Sequence, residues 1–355
     1  MKNKKFILYL NGLLLLQIVF VQVISNYPSI IERYYSNGLY LFTSKLLRIV
    51  FGWIPFSVGD VLIAIYLLVF LRFIYRLIKN RFKKGWFKLL VFIANVSVLY
   101  LCFYWFWGFN YFREPLAKNL GIQQSKYSTE QLTEVSKEIV KSLNAVHLSI
   151  SKNDTLKIEN PYSQKAMYRM AINGYKNLSK THPQFEYRFA SIKSSLMSLI
   201  QTYNGTSGYL NPITGEAQVN DMIPKTGYPT TVCHEMAHQI GFAAENEANF
   251  IGYLAALSHD DLYFKYAANR MAFGYLISEL RKHDREIYKE VLQSVNKGVL
   301  KDFRASSEFW SQYENPIEPL VKKGYNSYLK ANKQSKGIQS YNYVVDLIIS
   351  YQSLR

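Results

Sequence analysis

His234 and His238 stand four residues apart, with Glu235 directly after the first, in the run Thr230–His238 (TTVCHEMAH). On an α-helix, side chains four apart lie one above the other, so both imidazoles can reach a single point, as a zinc ion requires. Glu235 can approach a water at that point without binding the metal itself. Zinc lowers the pKa of such a water toward neutrality, and a neighbouring carboxylate can take the proton as the oxygen attacks a polarised carbonyl. The chemistry expected is metal-dependent hydrolysis of a peptide bond, with Glu235 as general base and one Zn2+ as cofactor.

Zinc needs a third protein ligand. Gly241 can end the first helix, and Glu245-Asn246-Glu247-Ala248-Asn249-Phe250 opens a second apolar helical run through Tyr253, Leu254 and Leu257. So short a turn forces the two helices antiparallel. A turn centred near Gly241–Phe242 would bring Glu245 opposite His238 and Asn249 opposite His234. Glu245 is therefore the expected third ligand, and Asn249 the expected partner that orients His234. Glu247 is the alternative ligand; it falls about 200° round the helix from Glu245, so the two cannot both face the metal.

The elements around this hairpin can be read from pattern. The motif should pass from loop to N-cap to helix near Thr231. Thr202–Pro229 is crowded with Gly, Asn, Pro and Thr and holds one short strand-like piece, Glu216–Asn220. Ala217, Gln218, Val219 and Asn220 are the expected edge strand against which an extended substrate would pair. Helices are predicted from a capping box at Ser128…Gln131 through Val146, over Gln164–Leu178, near Leu262–Lys282 and over Asp284–Val295. An oxyanion stabiliser has three candidates, Tyr253, His259 and Tyr341, none singled out by spacing. Two cysteines cannot form a disulfide framework: Cys102 lies in an apolar segment, and Cys233 beside the motif suits a small buried hydrophobe.

The first 109 residues are of another kind. Apolar stretches at about 6–25, 58–78 and 86–109 are each near the roughly 20 residues that a bilayer demands. Lys2, Lys4 and Lys5 precede the first, whose length and lack of a small-residue cleavage site mark a retained anchor and not a signal peptide. Between the second and third lie Arg72, Arg76, Lys79, Arg81, Lys83, Lys84 and Lys88 with no acid among them, which places that loop and the N-terminus in the cytoplasm and residues beyond 110 outside. Tyr100, Tyr104, Trp105 and Trp107 suit an aromatic belt at the outer interface, and Asn37–Ser57 suits an amphipathic helix lying along it.

The formal net charge of +17 would raise nucleic acid as a partner, but its distribution argues against it. Residues 1–109 carry a net +11 and 110–355 a net +6, and no finger, recognition helix or RNA-binding signature is present. The expected partners are the lipid bilayer and a peptide or protein substrate near it, and not nucleic acid. Oligomeric state is not legible.

The hairpin resembles the gluzincin arrangement, in which H-E-x-x-H is followed on a second helix by a ligand Glu and, four residues later, Asp or Asn; here the pair is Glu245 and Asn249, after a shorter spacer. The longer run HEMAHQIGFAAENEANFIGYLA, with GYLNPITGEAQVN before it, GWIPFS near the N-terminal spans and YNSYLKANKQSKGIQSYNYVVDL at the end, resembles an uncharacterised family of bacterial membrane proteins, domain of unknown function 3810. That resemblance implies a zinc peptidase and supplies no substrate. The expected fold is mainly α, three N-terminal transmembrane helices (1–109) followed by a mostly helical zincin-like α+β domain (110–355) with a small β element. The expected function is a membrane-anchored zinc peptidase at the outer face of a bacterial inner or cytoplasmic membrane. A catalytically inactive zinc-binding sensor or assembly factor is the alternative.

Overall fold

A computed structural model describes residues 2–122, 127–337 and 343–352. Among the described residues, three helices are long and apolar enough to cross a membrane: α1 (Lys2–Ile24), α4 (Val58–Lys79) and α5 (Gly85–Phe106). Their side chains stand largely exposed, as lipid-facing helices must in the absence of other protein. Helix α4 starts where Ser57 caps it, its hydroxyl accepting from Asp60 N at 3.0 Å. The third span ends earlier than expected. The backbone tightens into a 3-10 turn at Gly108–Phe112, which is buried against the rest of the protein.

Between the first two spans the chain forms α2 (Pro28–Ile30), a π-helical stretch over Ile31–Leu39 and α3 (Tyr40–Gly52). Helix α3 is amphipathic with its faces inverted relative to a soluble helix. Tyr40, Thr43, Ser44 and Arg48 are buried against protein, whereas Leu41, Phe42, Leu46, Ile49 and Val50 are exposed. That distribution suits a helix between bilayer and protein.

After the spans come α6 (Leu116–Asn119), α7 (Thr129–Ser151), started by the Ser128/Gln131 capping box, and α8 (Gln164–Leu178). A small sheet follows: β1 (Ile192–Ser194), α9 (Ser198–Tyr203), β2 (Gly208–Leu210) and β3 (Ala217–Val219). The remainder is helical: α10 (Tyr228–Gln239), α11 (Glu245–Leu257), α12 (Leu262–His283), α13 (Arg285–Gln293), α14 (Lys297–Ser311), α15 (Glu318–Ala331) and α16 (Val344–Gln352). The architecture is mainly α with a minor β element, as composition and periodicity led us to expect.

The α10–α11 hairpin forms the centre. Helices α8 and α12 pack on it, α7 packs outside α12, α16 closes over α11 and α12, and the sheet lies against α10. Tyr175, Tyr228, Phe250, Phe264 and Phe273 fill the core between these layers.

The sheet corrects one expectation. Strand β3 is central, parallel to β1 (Ile192↔Ala217, Ser194↔Val219) and antiparallel to β2 (Gly208↔Val219, Leu210↔Ala217). Ala217, Gln218, Val219 and Asn220 are buried, with both sides of the strand paired, and offer no edge. The neighbouring strands are three residues each and lie in Gly- and Ser-containing stretches, too short for an alternation to show. The edges of the sheet belong to β1 and β2.

Candidate metal centre

Helix α10 begins one turn earlier than the sequence suggested, at Tyr228, because Pro229 sits in the first turn, where a missing N–H costs nothing. It ends at Gln239 in a Schellman turn: Phe242 N donates to Ala237 O (3.2 Å) and Gly241 N to His238 O (3.0 Å), with Gly241 at φ +92°. The connection to α11 runs over Ile240–Ala244, longer than a turn centred at Gly241–Phe242 allows. The register shifts accordingly. Gly252 comes level with His234; a Cβ there would lie 2.9 Å from His234 N and 3.2 Å from Thr230 O. Only a glycine lets the two backbones approach so closely.

His234, Glu235 and His238 converge, with a ligand atom of each within 4.8 Å of the others. Glu245 reaches across from the start of α11, its Oε2 lying 3.3 Å from His234 Nε2 and 3.6 Å from His238 Nε2. A cation bound tetrahedrally at about 2.0–2.2 Å from three such atoms would hold them roughly 3.3–3.6 Å apart. The donor set and its spacing therefore fit a zinc ion. His238 Nδ1 donates to Phe242 O at 2.7 Å, since a carbonyl can only accept, and this fixes Nε2 as the nitrogen available to a metal.

The other Glu245 oxygen accepts a short hydrogen bond from the Tyr325 hydroxyl of α15. Glu247 turns away: its Oε1 accepts from Leu116 N at 2.7 Å, and burial pushes its carboxyl up to about 7. Asn249 does not orient His234. The shifted register leaves its amide donating to Tyr275 Oη (3.1 Å), while His234 Nδ1 is buried with no hydrogen-bond partner.

Glu235 is 3 % exposed and one of its oxygens, Oε2, has no hydrogen-bond partner. Burial raises its pKa above the ordinary carboxylate value, more than the two imidazoles lower it. Its Oε1 abuts β2 so closely that a Cβ on Gly208 would lie 2.6 Å away.

Residues ahead of α6 build this site too. Tyr40 Oη donates to Gln239 O (3.0 Å), Ser44 Oγ to the same carbonyl (2.7 Å), and Trp107 Nε1 to His238 O (3.2 Å), satisfying the free carbonyls at the end of α10. Trp107 and Tyr104, expected in an aromatic belt, are instead buried; Tyr104 Oη donates to Asn332 Oδ1 at 2.9 Å. Among the oxyanion candidates, Tyr253 lies in the core of α11, His259 packs its ring on Phe264 with Nε2 against Met170 O, and Tyr341 falls outside the described residues. Tyr325, which touches the site, and Gly208, which limits Glu235, had no periodicity or spacing signal, although both lie in runs that carry the family resemblance.

A family model described as protein of unknown function (DUF3810) matches residues 35–349, most of the chain and every residue of this centre. The chain belongs to the DUF3810 family. Helix α1 lies ahead of the matched segment of this DUF3810 protein. Neither the curated proteins nor the solved structures gave a match to the chain.

Protonation of the centre leads to a measurable expectation. Burial pulls the His238 imidazole down, but the Glu245 carboxylate more than offsets this and holds it at about 9. Burial pulls Glu245 upward, and His238 and His234 outweigh it, holding that carboxyl well below its usual range. A folded-state pKa above the ordinary imidazole value means that His238 keeps its proton through neutrality and loses it above about pH 9. A metal must displace that proton from Nε2, so zinc loading at about pH 7 should release one, and loading at about pH 10 should release none from this group. Calorimetry in buffers of different ionisation enthalpy reads the difference; buffer-independent heats at neutral pH would contradict it.

Proposed function

We propose that this DUF3810 chain is a membrane-anchored, zinc-dependent peptidase. One observation carries the reading: a carboxylate from α11 stands 3.3 and 3.6 Å from two imidazole nitrogens of α10, beside a buried glutamate with an unengaged oxygen. A purely structural zinc site would fill all four positions with protein ligands and would have no need of Glu235.

His234 and His238 through Nε2, and Glu245 through Oε2, would hold the ion. Zinc, when bound, supplies a Lewis acid that acidifies a water and polarises the scissile carbonyl. Glu235 then takes the water proton on Oε2 as the carbon–oxygen bond forms, and returns it to the departing amine nitrogen as the carbon–nitrogen bond breaks. A carboxyl whose pKa is raised by burial holds that proton long enough to deliver it. Tyr325 and the Phe242 carbonyl keep Glu245 and His238 in place.

The substrate strand is assigned to β2. Asn211 N donates to Glu216 O and Asn220 N to Ser207 O, so alternate residues of this strand turn inward to β3. Gly208 and Leu210 therefore turn their backbone groups away from β3, to the side on which an added strand would pair. Orientation outside the cytoplasm is supported by the basic residues from Arg72 to Lys88, at the facing ends of α4 and α5 and in the turn between them.

Purified full-length protein is expected to contain about one zinc per chain and to cleave members of a peptide library, with activity lost to a chelator and restored by zinc. Zinc without cleavage of any peptide would favour the sensor or assembly-factor reading, and absence of zinc would overturn both. A second expectation concerns Gly208. Gly208→Val should displace the Glu235 carboxylate and block the edge, lowering turnover by about 10²-fold or more with metal content unchanged. Loss of metal in that variant would show that the strand supports the ligands instead.

A further inference from the structure

Two helices outside the spans expose apolar stripes on the rim of the site. On and just before α9, Leu196, Leu199 and Ile200 are 54–62 % exposed at helical spacing, with Gln201 and Thr202 buried on the opposite face. At the start of α15, Ile317, Leu320 and Val321 repeat that spacing, Leu320 at 70 % exposed. The stripes adjoin: Asn315 Nδ2 donates to Tyr203 O at 2.7 Å, the Tyr203 and Tyr313 rings meet at 5.3 Å, and Gly205 lies against Glu318. Contiguous exposed apolar surface of this kind marks a binding face.

The ends of this belt are fixed to the ends of the spans. Leu196 N and Ser195 Oγ both donate to the Asp60 carboxylate in the first turn of α4, at 2.8 and 3.0 Å. At the other end, Asn332 accepts from Tyr104 near the end of α5, and Lys333 Nζ donates to Ser25 O (3.0 Å) just past α1. Lys193 Nζ on β1 donates to Gly52 O at the end of α3, whose apolar face is also exposed. The belt thus runs between points where spans leave the membrane, beside helices that already present apolar faces outward. Lys323 and Lys330 on α15 are exposed, and basic side chains at a lipid surface meet its phosphates.

The same belt borders the candidate metal centre. Helix α9 leads directly into β2, which abuts Glu235, and α15 carries Tyr325 against Glu245. We infer that the α9 and α15 stripes seat in the bilayer leaflet at which the site lies, so that the centre between β2 and α15 is approached from the lipid surface and receives membrane-tethered polypeptides. The substrate class in this inference rests on the peptidase reading above; the seated surface does not.

The test uses the full chain in vesicles of phosphatidylethanolamine and phosphatidylglycerol, with Cys102 replaced by alanine and a nitroxide on Leu199→Cys, Leu320→Cys or, as control, the exposed Lys289→Cys; native Cys233 is buried. Collision with oxygen should exceed collision with a water-soluble nickel chelate at 199 and 320, and the order should reverse at 289. Chelate access at either stripe would overturn the inference, and shielding from both reagents would do so by showing a protein partner on that face. A peptide carrying a lipid anchor should then be cleaved at least about 10²-fold more efficiently than the same peptide free in solution. Equal cleavage would overturn the substrate class. Lipid-facing labels with neither peptide cleaved would instead overturn the peptidase reading, leaving the seated surface in place.

Discussion

Glu235→Gln should lower peptide hydrolysis by about 10²–10⁴-fold while the protein keeps its zinc. The amide preserves the shape of the side chain but cannot take a proton from water, so chemistry fails and binding does not. Glu235 is suited to this separation of effects. It is buried, its Oε2 has no hydrogen-bond partner, and no fold-supporting bond would be lost on removing its charge. Its raised pKa also means that loss of the charge relieves a burial cost, so the variant should fold at least as well as the parent. Metal content by atomic absorption, with initial rates on a cleaved peptide, decides the matter. Unchanged turnover would move the base elsewhere, and loss of zinc would make Glu235 part of the metal's hold.

Two glutamates on one helix turn should behave in opposite ways. Glu245→Ala removes the carboxylate that faces both imidazoles, and zinc affinity should fall by more than about 100-fold, since losing even a group that only supports a ligand costs about 10–100-fold. Glu247→Gln should leave affinity unchanged. Its Oε1 accepts from Leu116 N, and a glutamine oxygen can do the same. The stability effects differ in sign with pH. A carboxyl held at about 7 in the folded protein binds its proton more tightly than in the unfolded chain, so stability declines as pH rises from about 4.5 toward 7. Ionising it in place costs on the order of 3 kcal/mol, and Glu247→Gln should be the more stable protein above neutrality by a comparable margin. Thermal unfolding of the two variants across pH, with zinc titration of each, tests both statements. Zinc loss in Glu247→Gln but not in Glu245→Ala would reverse the assignment.

The Glu245/Glu247 choice illustrates how far local pattern reaches. Helical periodicity showed that only one could face the histidines, and the structure places Glu245 there. The same reasoning misplaced Asn249, because it needed the length of the turn. Closure through Ile240–Ala244, with Gly252 admitting the backbone of His234, shifts the register enough to take Asn249 to Tyr275. The substrate edge failed for a related reason. Strand order is a long-range property, and nothing within Glu216–Asn220 reveals that β1 and β2 flank it on both sides. The burial of Trp107 was hidden as well, since an aromatic residue at the end of a span looks alike whether it meets headgroups or a helix terminus.

By itself the sequence determined the three apolar helices, the mainly helical class and the convergence of His234, Glu235 and His238. Each of these is set within a few helical turns by hydrophobic run length or by the 3.6-residue repeat, which act locally. The tertiary structure alone decided that Tyr325 donates to the Glu245 carboxylate, that the edge strand β2 lies beside Glu235, and that Tyr40, Ser44 and Trp107 brace the end of the helix bearing the histidines. The hydrogen bonds among these join residues 80 to 199 positions apart, and they form because buried carbonyls and carboxylates must find partners wherever packing brings them.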